Sequence, residues 1–362
     1  MRSRPSRRLS SLAWPLLLAF FVSACVSVNT GVDGTPAASG GPSTTTVAGT
    51  PTAPLPSRRP SGPAATSASG PPSIGFISLD ETLPYVADVS AGIRAAALDT
   101  GVDLVECDSG WQRQVALDCA TRMAEAGVRG VISFQPFTDA AAEICQTIGA
   151  VPTVGIVFPQ GPCEVSRLSI DQAESGRLAG VAVGRFASER WDCEIGAYIS
   201  LESSDADPDG RARMQGYRDG FEEQCPMPAV SFSLDGADRL ITAQTQLAGL
   251  LDDIEGDRIV VVGLNEDAVL GAMAAATDAG RATDLWYSGQ LADPSIREHI
   301  ACDGQYIASV AQFPERFGEL VVPTILAAID GKDVPRIIDA PLQLVDARNI
   351  RETYPDTPAC RG

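Results

Sequence analysis

The chain has 362 residues, 44 % of them hydrophobic and 20 % charged, and it carries a net charge of −19. This length and composition are sufficient for two globular domains, each with its own hydrophobic core. The acidic charge disfavours nucleic acid as a partner, and a single histidine, His299, gives little support for histidine-based zinc sites or catalytic triads.

The N-terminus has the pattern of an export signal. Arginines between residues 2 and 8 precede an apolar run over 12–22, which is shorter than the roughly 20 residues that span a bilayer. The string Val22-Ser23-Ala24-Cys25 resembles a bacterial lipobox. The resemblance implies a signal peptide over 1–24 and a lipid anchor on Cys25, which becomes the first residue of the mature protein. The alternative is an ordinary signal peptide in which Cys25 has no role.

The segment 25–72 is rich in proline, serine, threonine, glycine and alanine. It has too few large apolar side chains to offset the entropy of ordering, so we predict a disordered tether. A flexible tether of this length reaches on the order of 35–40 Å. The folded part would therefore lie near the extracytoplasmic face of the cell membrane, attached only through its lipid.

From residue 73, short apolar runs alternate with amphipathic stretches. The predicted strands are 74–79, 102–107, 130–134, 153–157, 195–201, 230–232, 258–264, 285–288, 306–310 and 341–345. The predicted helices are 85–99, 113–125, 139–148, 172–188, 211–223, 239–251, 266–279 and 315–329. Apolar strands that alternate with such helices indicate parallel sheets covered on both faces. We predict an α/β fold with two doubly wound parallel-sheet lobes.

Eight cysteines follow Cys25, an even number that favours disulfides in an exported protein. Neighbouring positions suggest the pairs Cys107–Cys119, Cys145–Cys163, Cys193–Cys225 and Cys302–Cys360, although eight cysteines allow about 105 pairings. Buried free thiols are the alternative for some of them.

The stretch Asp205, Asp207, Asp209 and Gly210 comes closest to a calcium loop but lacks the required glutamate, so we predict no metal site.

Ligands of open parallel sheets bind beyond the carboxyl ends of the strands. The residues at these positions are polar and aromatic, and Asp80, Gln135 and Gln290 are ligand-binding candidates on position alone. The sequence has no nucleophile elbow and no phosphate-binding loop. These features predict a binding protein without a cofactor rather than an enzyme.

Four segments carry a family resemblance. They are Ile74-Gly-Phe-Ile-Ser-Leu-Asp-Glu-Thr-Leu-Pro-Tyr85, Arg213-Met-Gln-Gly216-Tyr217, Gly263-Leu-Asn265-Glu-Asp-Ala-Val-Leu-Gly271-Ala and Ala308-Ser-Val-Ala-Gln312-Phe-Pro314. In this order and spacing, the chain from about 73 to 350 resembles the type 1 periplasmic binding proteins, which include the ribose receptor. The resemblance implies two lobes joined by a three-strand hinge.

The resemblance also implies ligand-binding roles. Tyr85 would stack on the ligand, Arg213 would donate a fork of hydrogen bonds, and Asn265 would add bidentate bonds. Gln312 would reach in from the hinge. By position alone, the aromatic rings of Trp111 and Phe158 would cover the ligand from the rim. A sugar has paired hydroxyls and an apolar C–H face, which suit such side chains.

Structural roles are the alternatives for the same residues. Tyr85 would then pack its helix on the core, and Arg213 would pair with a carboxylate among Asp205, Asp207 and Asp209. Asn265 would be a helix cap, Gln312 would only shape the hinge, and Phe158 would belong to ordinary packing, as would Trp111.

Two departures from the family pattern affect the expected ligand. Val157-Phe158 stands where sugar receptors often have Asp-Arg, and Gly289-Gln290-Leu291 replaces a Gly-aromatic-Asp segment. Two acidic acceptors for hydroxyl groups are therefore absent. A carbohydrate or related molecule remains the default ligand. The alternatives are a less hydroxylated or more apolar ligand, or a ligand that has its own acceptors.

The expected lobes are 73–171 plus 313–338 and 172–312 plus 339–362, with crossovers near Asp171, Gln312 and Pro341. The resemblance implies a monomeric receptor that closes on its ligand and delivers it to the permease subunits of an ABC importer. The alternative is a ligand sensor that presents its bound form to a membrane kinase. A DNA-binding regulator is disfavoured, because a signal peptide and a tether stand in place of a basic helix-turn-helix.

Overall fold

The computed structural model describes residues 72–203 and 208–360. The predicted signal peptide, Cys25, the tether up to residue 71, Asp205 and Asp207 lie outside the described residues. Among the described helices, none combines the length and the apolar character needed to cross a membrane.

Strands and helices alternate through most of the described chain. The strands are β1 (Ser73–Ser78), β2 (Asp103–Asp108), β3 (Gly130–Ser133), β4 (Thr153–Ile156), β5 (Glu164–Ser169), β6 (Ala197–Leu201), β7 (Ser231–Leu234), β8 (Ile259–Gly263), β9 (Leu285–Leu291), β10 (Tyr306–Ala311), β11 (Ile337–Asp339) and β12 (Gln343–Val345). The α-helices are α1 (Pro84–Thr100), α2 (Arg113–Ala126), α3 (Ala141–Thr147), α4 (Gln172–Trp191), α5 (Pro208–Glu222), α6 (Leu240–Leu251), α7 (Glu266–Asp278), α8 (Arg297–Cys302), α9 (Phe317–Ile329) and α10 (Ile350–Thr353). Short 3-10 turns cover Gly161–Cys163 and Pro314–Arg316.

The strands form two six-stranded sheets. The first sheet has the order β11-β5-β4-β3-β1-β2 and is parallel throughout. The second sheet has the order β12-β10-β9-β8-β6-β7 and is parallel except for β12, which runs antiparallel to β10. The predicted α/β fold with two doubly wound parallel sheets is confirmed.

Successive residues of each central strand enter cores on opposite faces of the sheet. In β1, Phe76 packs with side chains of α1 and α9, whereas Ile77 packs with side chains of α2 and α3. In β6, Ile199 faces α6 and α7, whereas Tyr198 faces α4 and α5. Because both faces are buried, these strands are mainly apolar on both faces and contain only small polar residues such as Ser78 and Ser200, and this near-continuous apolar run is the signal that made them recognisable.

The prediction missed β5, β11, α8 and α10. Strand β5 has the sequence Glu-Val-Ser-Arg-Leu-Ser, and its exposure alternates, so it lacks a continuous apolar run. The strand β11 has only three residues, and two of them are exposed. The two helices have six and four residues, too few to show a helical period.

The chain passes between the two sheets three times. It leaves the first sheet after β5, returns after β10, and crosses again between β11 and β12. The last part of the first sheet extends through Asp339, which pairs with Ser169, one residue past the lobe boundary expected from sequence. Three adjacent crossovers are the connection predicted for the hinge.

The eight described cysteines form four disulfides between the neighbouring positions that the sequence favoured. The pairs are Cys107–Cys119, Cys145–Cys163, Cys193–Cys225 and Cys302–Cys360. Their Cα–Cα distances lie between 5.3 and 5.7 Å, the usual range for this bond. The first two pairs link elements around the first sheet and the other two link elements around the second, so each bridge stays within one lobe.

Candidate ligand-binding cleft

A cleft lies where the carboxyl ends of strands from both sheets meet. Its inner chamber has a volume of ≈ 290 Å³. The inner chamber is lined by Tyr85, Phe134, Val157, Phe158, Ile170, Gln172, Asp209, Gly210, Arg213, Leu264, Asn265, Leu291 and Gln312. Residues that follow β3, β4, β8 and β10 thus come together, as expected for a ligand site of parallel sheets.

The cleft continues into an outer chamber of ≈ 890 Å³. The outer chamber is lined by Trp111, Pro136, Thr138, Val157, Phe158, Pro159, Arg167, Ser169, Ser203, Pro208, Asp209, Asp238, Arg239 and Leu264. Val157, Phe158, Asp209 and Leu264 belong to both linings, so the two chambers adjoin along these residues.

Aromatic side chains form one wall of the inner chamber. The Tyr85 ring makes an edge contact with Phe317, with centroids 6.3 Å apart, and Phe158 stacks on Phe134 at 6.0 Å. Burial raises the pKa of the Tyr85 hydroxyl, so the group stays protonated and donates to Oε1 of Gln312 at 3.1 Å. The rings are held by these contacts and present an apolar surface.

Gln312 supplies a donor that has no partner among the described residues. It follows β10 directly, and its side chain is 1 % exposed. Its Oε1 accepts from Tyr85, whereas its Nε2 is buried without a hydrogen bond. An unmade bond of this kind costs about 1–3 kcal/mol. Gln312 lines the inner chamber, and a ligand oxygen that reached Nε2 would satisfy it.

Arg213 is fixed by the backbone and side chains around it. Its Nε and Nη2 donate to Oε1 of Gln172 at 2.9 and 2.5 Å, and its Nη1 donates to the carbonyl of Leu264 at 2.6 Å. Gln172 begins α4 just after the first crossover, and Leu264 follows β8. The guanidinium is therefore oriented in the inner chamber before any ligand arrives.

Asn265 lines the inner chamber and is also a helix cap, which was the alternative role suggested by the sequence. Its Oδ1 accepts from the N–H of Ala268 at 2.9 Å, which makes Asn265 the N-cap of α7. Its Nδ2 donates to the carbonyl of Asp238 at 2.9 Å. Both ends of the amide are engaged, so the bidentate role predicted for Asn265 would require one of these bonds to be exchanged.

Three candidates chosen by position alone lie outside both chamber linings. Asp80 closes its own turn by accepting from the N–H and hydroxyl of Thr82, and these bonds lower its pKa. Gln135 is fully buried and bonds Gln160 at 2.7 Å. Gln290 lies within β9, where its Oε1 accepts from the Ser175 hydroxyl at 2.6 Å. The structure does not bring these three side chains to the cleft.

The prediction missed Gln172 as a lining residue, and it missed Phe134 and the arginines of the outer chamber. Gln172 had a recognisable signal, because it is the first polar side chain after the crossover at Asp171. Arg167 had no signal, since its strand was not predicted.

The matched family is described as "Periplasmic binding protein domain", and the match covers residues 74–333. No curated protein matches the chain significantly. The fold is similar to a solute-binding protein of an ABC transporter from Actinobacillus succinogenes 130z with bound D-allose, at 16 % identity, with 78 % of this chain and 99 % of that chain covered and a TM-score of 0.66.

Two further solved structures are similar to this chain in fold. A solute-binding protein from Mycobacterium smegmatis with bound glycerol is 22 % identical, with coverage of 81 % and 100 % and a TM-score of 0.65. One from Bacillus halodurans C-125 with bound myo-inositol is 17 % identical, with coverage of 80 % and 99 % and a TM-score of 0.65. These structures establish the shared fold. Because the family match spans well over half of the sequence, the chain belongs to the periplasmic binding proteins, which are solute-binding proteins and not enzymes.

Proposed function

We propose that the protein captures a sugar or a sugar-like polar molecule in the inner chamber and delivers it to an ABC importer. The observation that carries the proposal is the buried Nε2 of Gln312, which lacks a partner among the described residues and lies beside aromatic rings in the cleft. A hydroxyl oxygen of the ligand would accept from it. Such a bond would form only when the chamber is occupied.

The rest of the lining has the mixture that a sugar requires. Tyr85 and Phe158 offer apolar ring surfaces to C–H groups, and Arg213 offers an oriented donor. The similar proteins were solved with D-allose, glycerol and myo-inositol, all of them polyhydroxylated. Asn265 completes the proposed ligand set, whereas Asp80, Gln135 and Gln290 do not belong to it.

The proposed mechanism is closure of one lobe on the other. We take 73–171 plus 313–338 as the first lobe and 172–312 plus 339–362 as the second. A ligand that contacts Tyr85 on the first lobe and Arg213 on the second favours the closed form by its higher affinity for that form. The closed form would then be recognised by the permease.

We further propose that the protein is monomeric and is anchored at the extracytoplasmic face of the membrane through lipidated Cys25. The tether would let the folded part reach a neighbouring permease.

A receptor that presents its closed form to a sensor kinase would use the same cleft. Chemical cross-linking in native membranes, in the presence of ligand, separates the two: permease subunits in the cross-linked product support import, and a kinase alone contradicts it.

A thermal-shift panel tests the capture of a sugar. Purified full-length protein with intact disulfides is heated in the presence of pentoses, hexoses, polyols, nucleosides and amino acids. A ligand at 100 times its Kd adds about 2.7 kcal/mol, which raises the Tm by a few degrees. We expect a rise with a saccharide or polyol, and a rise with amino acids only would contradict the proposal.

A further inference from the structure

The outer chamber has roughly three times the volume of the inner chamber, ≈ 890 against ≈ 290 Å³. Drug-sized ligands occupy pockets of about 300–1,000 Å³, so the inner chamber alone is at the small end of this range. The two chambers share their walls at Val157, Phe158, Asp209 and Leu264. A ligand held by Gln312 in the inner chamber would therefore enter the outer chamber at Phe158, where the two chambers adjoin.

Trp111 lies in the wall of the outer chamber on a strained stretch of backbone. Trp111 is 52 % exposed and has a φ of 55°, a left-handed conformation that is rare for a bulky residue. The backbone N–H of Trp111 donates to the carbonyl of Leu79 at 2.7 Å. The Cys107–Cys119 disulfide ties the strand before this loop to the helix after it. The backbone of the loop is thus constrained where it places an exposed aromatic ring at the edge of the cleft.

The polar groups of the outer chamber come from both lobes and balance in charge. Arg167 on β5 has a buried Nε without a partner among the described residues, and its Nη1 is 3.9 Å from the Glu164 carboxylate. Arg239 lines the outer chamber from the opposite lobe, and Asp209 and Asp238 supply two negative charges to the same lining. The positive charges of the two arginines and the negative charges of the two aspartates therefore sum to zero. The chamber therefore suits a neutral unit with hydroxyl groups better than a phosphate or a polyanion.

We propose that the ligand is a neutral saccharide of at least two units. One unit occupies the inner chamber, and the second lies in the outer chamber against the Trp111 ring, with a hydroxyl oxygen accepting from Arg167. This inference rests on the proposed capture of a sugar in the inner chamber and adds the size and charge of the ligand.

Calorimetric titration of full-length protein tests the inference. The probes are glucose, galactose and arabinose, and the disaccharides maltose, cellobiose, lactose and arabinobiose. We expect at least one disaccharide to bind tenfold or more tightly than its constituent monosaccharide. Trp111→Gly removes the ring, and glycine accepts the left-handed backbone without strain, so the variant should fold. It should weaken disaccharide binding at least fivefold and leave monosaccharide binding within twofold.

Two controls complete the experiment. Arg167→Met should also weaken the disaccharide selectively, whereas Ile241→Ala, at an exposed apolar residue outside the cleft, should change neither affinity. If monosaccharides bind and no disaccharide binds more tightly, or if Trp111→Gly weakens both equally, the inference is overturned and the proposed function stands. If no saccharide binds, both fail.

Discussion

Glu266 is the first residue of α7 and is completely buried. Its carboxyl group contacts the hydroxyls of Tyr306 and Ser309, both at 2.5 Å, and accepts from the N–H of Ala292 at 3.1 Å. Burial is the largest influence and raises the pKa of Glu266 to about 8, from 4.5. The carboxyl group is therefore protonated at neutral pH in the folded protein. This raised pKa makes the stability of the second lobe depend on pH.

The sign of that dependence follows from linkage. A pKa raised on folding gives stability that is complete below pH 4.5 and is lost as the pH rises through about 8. We expect the Tm of the wild type to fall between pH 5 and pH 9, and Glu266→Gln, which stays neutral, to show a smaller fall. Exposed Glu125→Gln is the control and should follow the wild type. Parallel Tm curves for wild type and Glu266→Gln would show that Glu266 does not titrate in this range.

At the residue scale, motif and position differ in predictive value. Tyr85, Arg213 and Gln312 were identified by segments in family order, and all three line the inner chamber. Gln290 was chosen as the residue that follows a strand, but β9 continues through Leu291 and turns its amide into the core. Sequence position alone does not define where a strand ends or which way a side chain points.

At the scale of elements, α4 and α5 pack through glycines. A Cβ added to Gly176 or Gly180 would meet the carbonyls of Arg213 or Tyr217, and one added to Gly216 would meet the carbonyl of Ala173. The two backbones are thus close enough for only hydrogen atoms to lie between them. The same contact brings Gln172 of α4 to Arg213 of α5 in the cleft.

Gly176→Ala should therefore affect both stability and binding. The methyl group would push α5 away, which we expect to cost about 1–3 kcal/mol of unfolding free energy and to lower ligand affinity at least threefold through Arg213. The matched control is Gly249→Ala in α6, where nothing lies within 4 Å of the added carbon. It should stabilise the protein by about 0.5–1 kcal/mol and leave binding unchanged. Denaturant unfolding and calorimetry measure the two effects, and wild-type binding by Gly176→Ala would contradict the link to Arg213.

The strands that were predicted from the sequence share a continuous run of apolar residues. Central strands such as β8, Ile-Val-Val-Val-Gly, are buried at every residue and are unmistakable. Strand β5 mixes charged and apolar residues because one neighbour is the short exposed strand β11. Arg167 lies on β5. Because β5 was not predicted, the polar wall of the outer chamber was not predicted either.

At the scale of the whole molecule, each of the four disulfides connects elements of one lobe. The bridges therefore stiffen the lobes and leave their relative motion to the three crossovers. We expect the radius of gyration, measured by small-angle X-ray scattering, to fall when a saturating saccharide ligand is added. Glycine at the same concentration is the control. A radius that stays constant while the ligand binds would contradict closure.

The whole-molecule architecture was the most predictable level. Alternating elements and the family-like segments indicated two sheets and their crossovers, because topology depends on many residues and tolerates local error. The size of the cleft was unpredictable, since it depends on the distance between loops such as 108–112 and 157–160 that are far apart in sequence.

We propose that a saccharide binds between the lobes at Gln312. Calorimetric titration of the best saccharide from the thermal-shift panel, with wild type and Gln312→Leu, tests it most directly. We predict one site per chain and an affinity at least tenfold lower for Gln312→Leu, because a bond to the ligand worth about 1.4 kcal/mol or more is removed. Gln305→Leu, at a glutamine outside both chambers, should bind as the wild type does. Unchanged affinity in Gln312→Leu would place the ligand elsewhere and contradict binding at Gln312.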